Sequence, residues 1–280
     1  MQLGIFAKTF ARADFEQGFA AIKGHGLKCL QFNFSCAGLP TLPDRIDPGL
    51  LRQIRSALER QSLTMAAVSG TGNLIHPDPR ERARCLANLC TVIRACPLLG
   101  APVTTLCTGT RDPADMWRRH PENHSPEAWH DLVRSLQELL PVAAENRVFL
   151  GVEPEPANVI DSAPRARQLL DELGSPWLKI VFDAANLLQP ETLARQEIIL
   201  AEALDLLGPD IIVAHAKDLA AGRSGTHIAA GQGELDYKRY VALLRKAGFN
   251  GPLILHNLAE NEVSAAVAFL RKVLDHPGSS

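Results

Sequence analysis

What the chain lacks narrows it first. Charge of neither sign is in excess: 29 Lys and Arg stand against 31 Asp and Glu, a formal net charge of -2. Proteins dedicated to nucleic acid or to a membrane surface attract phosphates with clustered Lys and Arg, and no basic run of that kind occurs, so both partner classes are set aside. The six cysteines, Cys29, Cys36, Cys85, Cys90, Cys96 and Cys107, include no C-x-x-C pair. Several lie inside apolar segments, where a thiol packs as a small hydrophobe, so reduced core thiols are expected. No apolar run approaches the ~20 residues needed to span a bilayer, and `MQLGIFAKTF` lacks both a charged n-region and a long h-region. A cytoplasmic protein is expected. No G-x-G-x-x-G follows the first apolar run, which weighs against a dinucleotide-binding open sheet.

What is present is regular. Of the 280 residues 46% are apolar, enough to bury a large core. Short β-rich runs alternate with longer segments of helical period from end to end. `LGIFA`, `LKCLQFNF`, `LTMAAVSG`, `PVTTLCTG`, `VFLGVEPE`, `LKIVFDAAN`, `DIIVAHAKD` and `PLILHN` are eight strand candidates. Between them lie helical segments such as Pro48–Arg60, Pro79–Leu99, Glu127–Glu145, Ser162–Leu173, Thr192–Leu207 and Asp236–Ala247, with apolar residues at three- and four-residue spacing, as in Leu51, Ile54 and Leu58. Asp47-Pro48 and Asp78-Pro79 read as N-caps followed by Pro at the first helical position, and `KAGFNG` as a Gly-rich exit. Eight β-α units fit one (β/α)8 TIM barrel, a fold of ~250 residues. The reading is a single α/β domain over residues 1–275, with `HPGSS` (276–280) as a disordered tail.

In such a barrel the active site lies at the carboxyl ends of the strands, which selects a short set of polar residues. The fifth strand ends in `GVEPEPANVI`, where Glu153 and Glu155 share one face of an extended chain. The sixth delivers Asp183, with Asn186 in the following turn. In the seventh, `VAHAKD`, Val213, His215 and Lys217 alternate onto one face while Asp218 points the other way. The eighth ends in His256. Four successive strands therefore bring Glu153, Asp183, His215 and His256 to one rim. Two carboxylates and two imidazoles suit Mn²⁺, Co²⁺, Zn²⁺ or Fe²⁺, whereas Mg²⁺ prefers more oxygen.

The ordered set `VEPEPAN`, `FDAAN`, `HAKD`, `GQGELDY` and `GFNGPLIL` resembles the xylose isomerase-like TIM barrels, a superfamily of sugar phosphate isomerases and epimerases. The resemblance implies one divalent ion, with Mn²⁺ favoured, held by a Glu after the fifth strand, an Asp after the sixth, a His after the seventh and a Glu after the eighth. Glu153, Asp183 and His215 match; His256 stands where the last Glu is expected. In the ketose 3-epimerases of this superfamily the two glutamates also form the acid-base pair. An imidazole whose lone pair is on a metal has none left there to accept a proton, so an isomerase, or a dehydratase with one dominant base, is favoured over a two-base epimerase.

The implied substrate is a small carbohydrate or polyhydroxy acid, and the implied chemistry is proton abstraction beside a carbonyl to give an enediolate. Glu153 is the first candidate base and Glu155 the reserve; Lys217 is placed to neutralise developing charge, and His256 is counted with the catalytic group. Asn158 and Asn186 are candidate substrate contacts. Arg223 and His227, in `HAKDLAAGRSGTHIAAGQGELDY`, lie on a loop that closes over substrate in related barrels. The connection after the fourth strand, `TGTRDPADMWRRHPENHSPEAW`, exceeds ordinary loop length, which favours a lid or an oligomer contact. Within it Arg111 is near enough to the strand end to bind a carboxylate or phosphate. His76 in `GTGNLIHPDP` either lines the pocket or caps the next helix. Related barrels often form dimers or tetramers, so a homo-oligomer is expected. Two alternatives are weaker. A three-zinc abasic-site endonuclease would need a His where Asn186 stands and a basic face; a non-catalytic barrel would rest on His256 alone.

Overall fold

The computed structural model of the chain describes residues 1–220, 222 and 226–275; Arg223 and the tail 276–280 lie outside the described residues. Eight parallel strands close into a barrel: β1 (Gln2–Phe6), β2 (Cys29–Phe32), β3 (Thr64–Gly70), β4 (Val103–Leu106), β5 (Phe149–Val152), β6 (Leu178–Asp183), β7 (Ile211–Ala216) and β10 (Pro252–Leu255). Their spatial order is β1-β10-β7-β6-β5-β4-β3-β2. A small antiparallel ribbon, β8 (Asp218–Leu219) with β9 (His227–Ile228), follows β7. Around the barrel run α1 (Phe15–Gly24), α2 (Pro48–Gln61), α3 (Pro79–Leu99), α4 (Pro126–Asn146), α5 (Ala163–Leu173), α6 (Gln196–Leu207), α7 (Tyr237–Lys246) and α8 (Val263–Asp275). The chain thus forms a single (β/α)8 barrel. Among the described residues no helix is long and apolar enough to cross a membrane.

Local chemistry sets the helix boundaries. Asp47 Oδ1 accepts from the Gly49 amide at 2.7 Å and Asp78 Oδ1 from the Arg80 amide at 2.8 Å, each just ahead of a Pro, so the orphan first-turn amides are satisfied. The apolar stripe of α2, including Leu51, Ile54 and Leu58, is buried against the barrel. The segment expected as one helix from Thr192 divides into a 3-10 turn, Pro190–Arg195, and α6, because Arg195 leaves helical geometry (φ -111°, ψ 14°). The six cysteines are free thiols.

The barrel interior is layered by strand alternation. Cys29, Ala67, Val103, Val181, Val213 and Ile254 form an apolar layer with Phe6. Two residues further along each of those strands stand Gln31, Ser69, Thr105, Asp183, His215 and His256, because inward-facing side chains recur with period two. Gly151 precedes Glu153 in the same way, and a Cβ at Gly151 would lie 2.8 Å from Val181 Cγ2. The apolar layer is therefore full, and the polar layer above it opens only towards the carboxyl ends of the strands. A register shift between Ile180 and Val181 pairs Val181 with Val213 and Asp183 with His215, bringing carboxylate and imidazole side by side.

A four-residue polar cluster at the barrel mouth

Glu153, Asp183, His215 and His256 each offer one donor atom, and these atoms all lie within 4.8 Å of one another. His215 Nδ1 is 3.2 Å from Glu153 Oε1 and 3.6 Å from Asp183 Oδ2; His256 Nε2 is 3.0 Å from Asp183 Oδ2. An ion with ligands at ~2.1 Å requires ligand atoms separated by roughly 3.0–3.4 Å. The 3.0 and 3.2 Å contacts match the edges of such a polyhedron, the 3.6 Å contact is slightly longer, and the set mixes two oxygens with two nitrogens. The donor chemistry therefore fits a divalent ion of the first transition row.

The surroundings prepare each donor. His215 Nε2 is 3.0 Å from Gln31 Oε1, while Gln31 Nε2 donates to Ser69 Oγ (3.2 Å) and Thr105 Oγ1 (3.1 Å). With its amide hydrogens on two hydroxyls, Gln31 presents its oxygen to the ring. The neutral tautomer of His215 then carries its proton on Nε2 and turns the Nδ1 lone pair towards Glu153 and Asp183. Phe6 packs on both imidazoles, its ring centroid 6.2 Å from that of His215 and 5.7 Å from that of His256. Tyr240 donates its hydroxyl to the His215 carbonyl at 3.1 Å, and Tyr237 to the Lys217 carbonyl at 2.9 Å.

The charges sort themselves by position. Burial opposes ionisation of Asp183, but Lys217 (Nζ 3.3 Å from Oδ2) and the two imidazoles hold its carboxyl well below the usual range. Burial likewise acts against Glu153, and the adjacent His215 brings it below its ordinary value. His215, although buried, is raised to about 9 by the Glu153 and Asp183 carboxylates. His256 goes the other way, lowered to about 4 by burial and by the charge on His215. Glu155 is raised to about 7 by burial and by the neighbouring Glu153 charge, a value that serves a group exchanging protons at neutral pH.

Asn186 ties the rim together. Its Nδ2 donates to Glu153 Oε1 (2.9 Å), Glu155 Oε2 (2.8 Å) and the Pro154 carbonyl (3.1 Å), and its Oδ1 accepts from Lys217 Nζ at 2.5 Å. Cys107, just past β4, is near the same carboxylates. Burial, then the Glu153 and Glu155 charges, push its thiol well above its ordinary value, so it faces the rim uncharged.

The remaining candidates separate into two groups. His227 lies on β9, where burial and the Lys217 charge lower it below the ordinary imidazole value. Asn257, directly after His256, donates to the His227 carbonyl at 2.7 Å and so fixes that ribbon over the rim. Asn158 braces two loops: its Oδ1 accepts from the Gly109 amide at 2.8 Å, and its backbone amide donates to the Glu155 carbonyl at 2.8 Å. Arg111 is turned inward, with its guanidinium 2.8 Å from Asp131 and donating to the Ile75 carbonyl at 3.0 Å. The carboxylate it binds is the chain's own. His76 Nδ1 accepts from the Asp78 amide at 3.1 Å in the turn ahead of α3, while Asp78 itself caps that helix. Arg223 lies outside the described residues. Gln31 and Phe6 were missed from sequence. Gln31 carried a signal: it is a polar residue on the inward phase of `LKCLQFNF`, two positions after a buried Cys29.

Comparison with known proteins agrees with this architecture. The model of the xylose isomerase-like TIM barrel family matches residues 19–273. Among solved structures, a D-tagatose 3-epimerase-like protein superposes with a TM-score of 0.77 at 15% identity, over 99% of this chain and 98% of its own. A 3-keto-D-glucoside 4-epimerase from E. coli gives 0.76 at 19% identity, over 97% and 99%. The IolI protein with a bound zinc atom gives 0.73 at 15%, over 100% of both chains. At such identities these likenesses concern the fold. No protein of curated function matches the sequence. With the family model covering nearly the whole barrel, the chain belongs to the xylose isomerase-like TIM barrel family.

Proposed function

We propose that this protein is a divalent-metal-dependent isomerase or epimerase of a sugar, sugar acid or sugar phosphate, acting through an enediolate. The observation that carries the reading is the convergence of Glu153, Asp183, His215 and His256 on one point of the barrel mouth. These four residues would hold the ion, Mn²⁺ being favoured. When bound, it would supply Lewis-acid polarisation of the substrate carbonyl.

The other steps belong to side chains. Glu155, close to half-ionised at neutral pH, takes the proton from the carbon beside the carbonyl and returns it to the former carbonyl carbon, while the hydroxyl proton passes to the former carbonyl oxygen. Glu153, held ionised beside His215, is better suited to ligation than to proton transfer, which reverses the order in which the two glutamates were first ranked. Lys217, buried beside Asp183 and Asn186, offsets negative charge that develops on substrate oxygens. His227 and Asn186 border the substrate.

A dehydratase is the second reading, favoured by one observation: at the rim, Glu155 is the carboxyl group raised to neutrality. One group that removes a proton and then protonates a departing hydroxyl serves elimination as readily as a 1,2-proton shift. The experiment is product analysis with Mn²⁺-loaded protein on a panel of ketoses, aldoses and sugar acids, with Glu153→Gln as control. A product isomeric with its substrate supports the first reading, and a product lighter by one water the second. A purified protein that takes up no divalent ion would refute both.

A further inference from the structure

Beside the cluster lies a cavity of about 550 Å³ lined by Trp117, Arg119, Pro156, Ala157, Asp161, Asn186, Leu187 and Gln189. One lining residue, Asn186, hydrogen-bonds a member of the cluster, Glu153. Asn186, bonded to Glu153 and Glu155, thus lies next to both the reacting centre and the cavity. That volume lies within the ~300–1,000 Å³ of small-molecule pockets and adds to the space over the cluster itself.

Its walls are of mixed character. Pro156, Ala157 and Leu187 give an apolar floor, and Trp117, half exposed at 51%, gives an aromatic wall. Arg119, Asp161, Gln189 and Asn186 supply hydrogen-bonding groups at the edges. The formal charges balance: Arg119 is 3.7 Å from Asp161, which also faces His124 at 3.3 Å. An anionic group is therefore not called for. A pyranose ring has the complementary surface, with C–H faces for the indole and floor and hydroxyls around its rim.

The tryptophan is presented by a braced loop. Asn123, buried, accepts from the Thr110 hydroxyl (3.0 Å) and the Arg111 amide (2.8 Å) and donates to the Ala157 carbonyl at 2.8 Å, tying the loop to the cavity floor. The single Thr110 hydroxyl proton is shared between Asn123 Oδ1 and the Arg118 carbonyl, 2.9 Å away, and the Trp117 amide donates to Asp115 Oδ1 at 2.9 Å. A large indole held half in water by a hydrogen-bonded loop is preorganised for a ligand face.

We infer that the substrate is a glycoside: one sugar ring reacts at the cluster, and a second, neutral ring sits in this cavity against Trp117. The inference rests on the proposed reacting centre and adds what the substrate carries beyond it.

The test is calorimetric titration of Mn²⁺-loaded full-length protein with maltose, cellobiose, sucrose and trehalose, against glucose and fructose. At least one disaccharide should bind about tenfold more tightly than either monosaccharide, the gain expected of one aromatic contact. Trp117→Ala should erase that preference without changing manganese binding, and Trp117→Phe should restore part of it. Equal binding of mono- and disaccharides, or a preference that survives Trp117→Ala, would overturn the inference. So would a fall in oligomer size on Trp117→Ala by light scattering, which would assign the indole to a self-contact. The two readings fail separately: a Trp117-dependent disaccharide preference in a protein that binds no metal sinks the metal centre alone. Stoichiometric manganese without any disaccharide preference sinks the second ring alone.

Discussion

If His215 ligates through Nδ1, the ion must displace a proton. In the metal-free site Nδ1 lies between Glu153 Oε1 at 3.2 Å and Asp183 Oδ2 at 3.6 Å, and the imidazole is raised to about 9. His256, lowered to about 4, is already neutral, and Glu153 and Asp183 are already ionised. Near pH 7 the net release should therefore be about one proton per ion, from His215. A group titrating two units above the working pH costs the binding reaction ~3 kcal/mol, a factor of ~100 in affinity, relative to a pH above its pKa. Affinity for Mn²⁺ should then rise about tenfold per pH unit between pH 6.5 and 8.5. Calorimetry in two buffers of different ionisation enthalpy counts the protons directly. No net release at pH 7, or an affinity flat across that range, would refute this account of the site.

Further outcomes follow from neighbouring contacts. Gln31→Leu removes the acceptor that holds the His215 Nε2 proton and should weaken metal binding about 10–100-fold, as loss of an outer-shell partner does, with the barrel intact by circular dichroism. Glu155→Gln should reduce kcat by about 10²–10⁴ while leaving metal content unchanged; in the parent enzyme kcat should rise as pH passes through about 7, where Glu155 ionises, and this limb should vanish in the variant. The metal-free protein should lose stability as pH climbs from about 6.5 towards 9, because the raised His215 pKa makes its stabilising charge complete below the unfolded value and absent above the folded one; chemical denaturation across that range tests it. Arg111→Ala should lower the melting temperature by several degrees, since it breaks a largely buried ion pair with Asp131, yet leave Mn²⁺ affinity unchanged.

The sequence made the barrel and the four converging residues legible for one physical reason: both depend on chain-local rules. Period-two alternation decides which side chain of `VAHAKD` faces inward, and the barrel places all strand ends on one rim, so Glu153, Asp183, His215 and His256 could be assembled without coordinates. What was not legible depended on contacts between elements distant in sequence. Arg111 sits near a strand end like a ligand-binding residue, but its partner Asp131 is on α4 and the competing carbonyl on the loop after β3. Gln31 bonds His215 across 184 positions. Nothing in `VEPEP` says that Glu153 meets an imidazole while Glu155 meets an amide and a neighbouring charge, and the proposed division of labour between them rests on those contacts.

The same separation explains how His256 fits the site. It stands at the end of the strand where the family pattern has a carboxylate, and its nearest polar partner is Asp183, at 3.0 Å. A glutamate there would set a third carboxylate beside Glu153 and Asp183, and like charges so close raise one another's pKa. With an imidazole lowered to about 4, the proposed donor set would keep four ligands while carrying two negative charges, which a divalent ion would neutralise. In the proposed metal-loaded enzyme Lys217 would be left with Glu155 as its neighbouring carboxyl group and would meet charge on the substrate, while proton transfer would fall to Glu155, outside the donor set. His256→Glu should therefore tighten metal binding yet lower kcat, because the added carboxylate would compete with the substrate oxygens for Lys217. A variant with tighter metal and undiminished kcat would show that Lys217 has no such role.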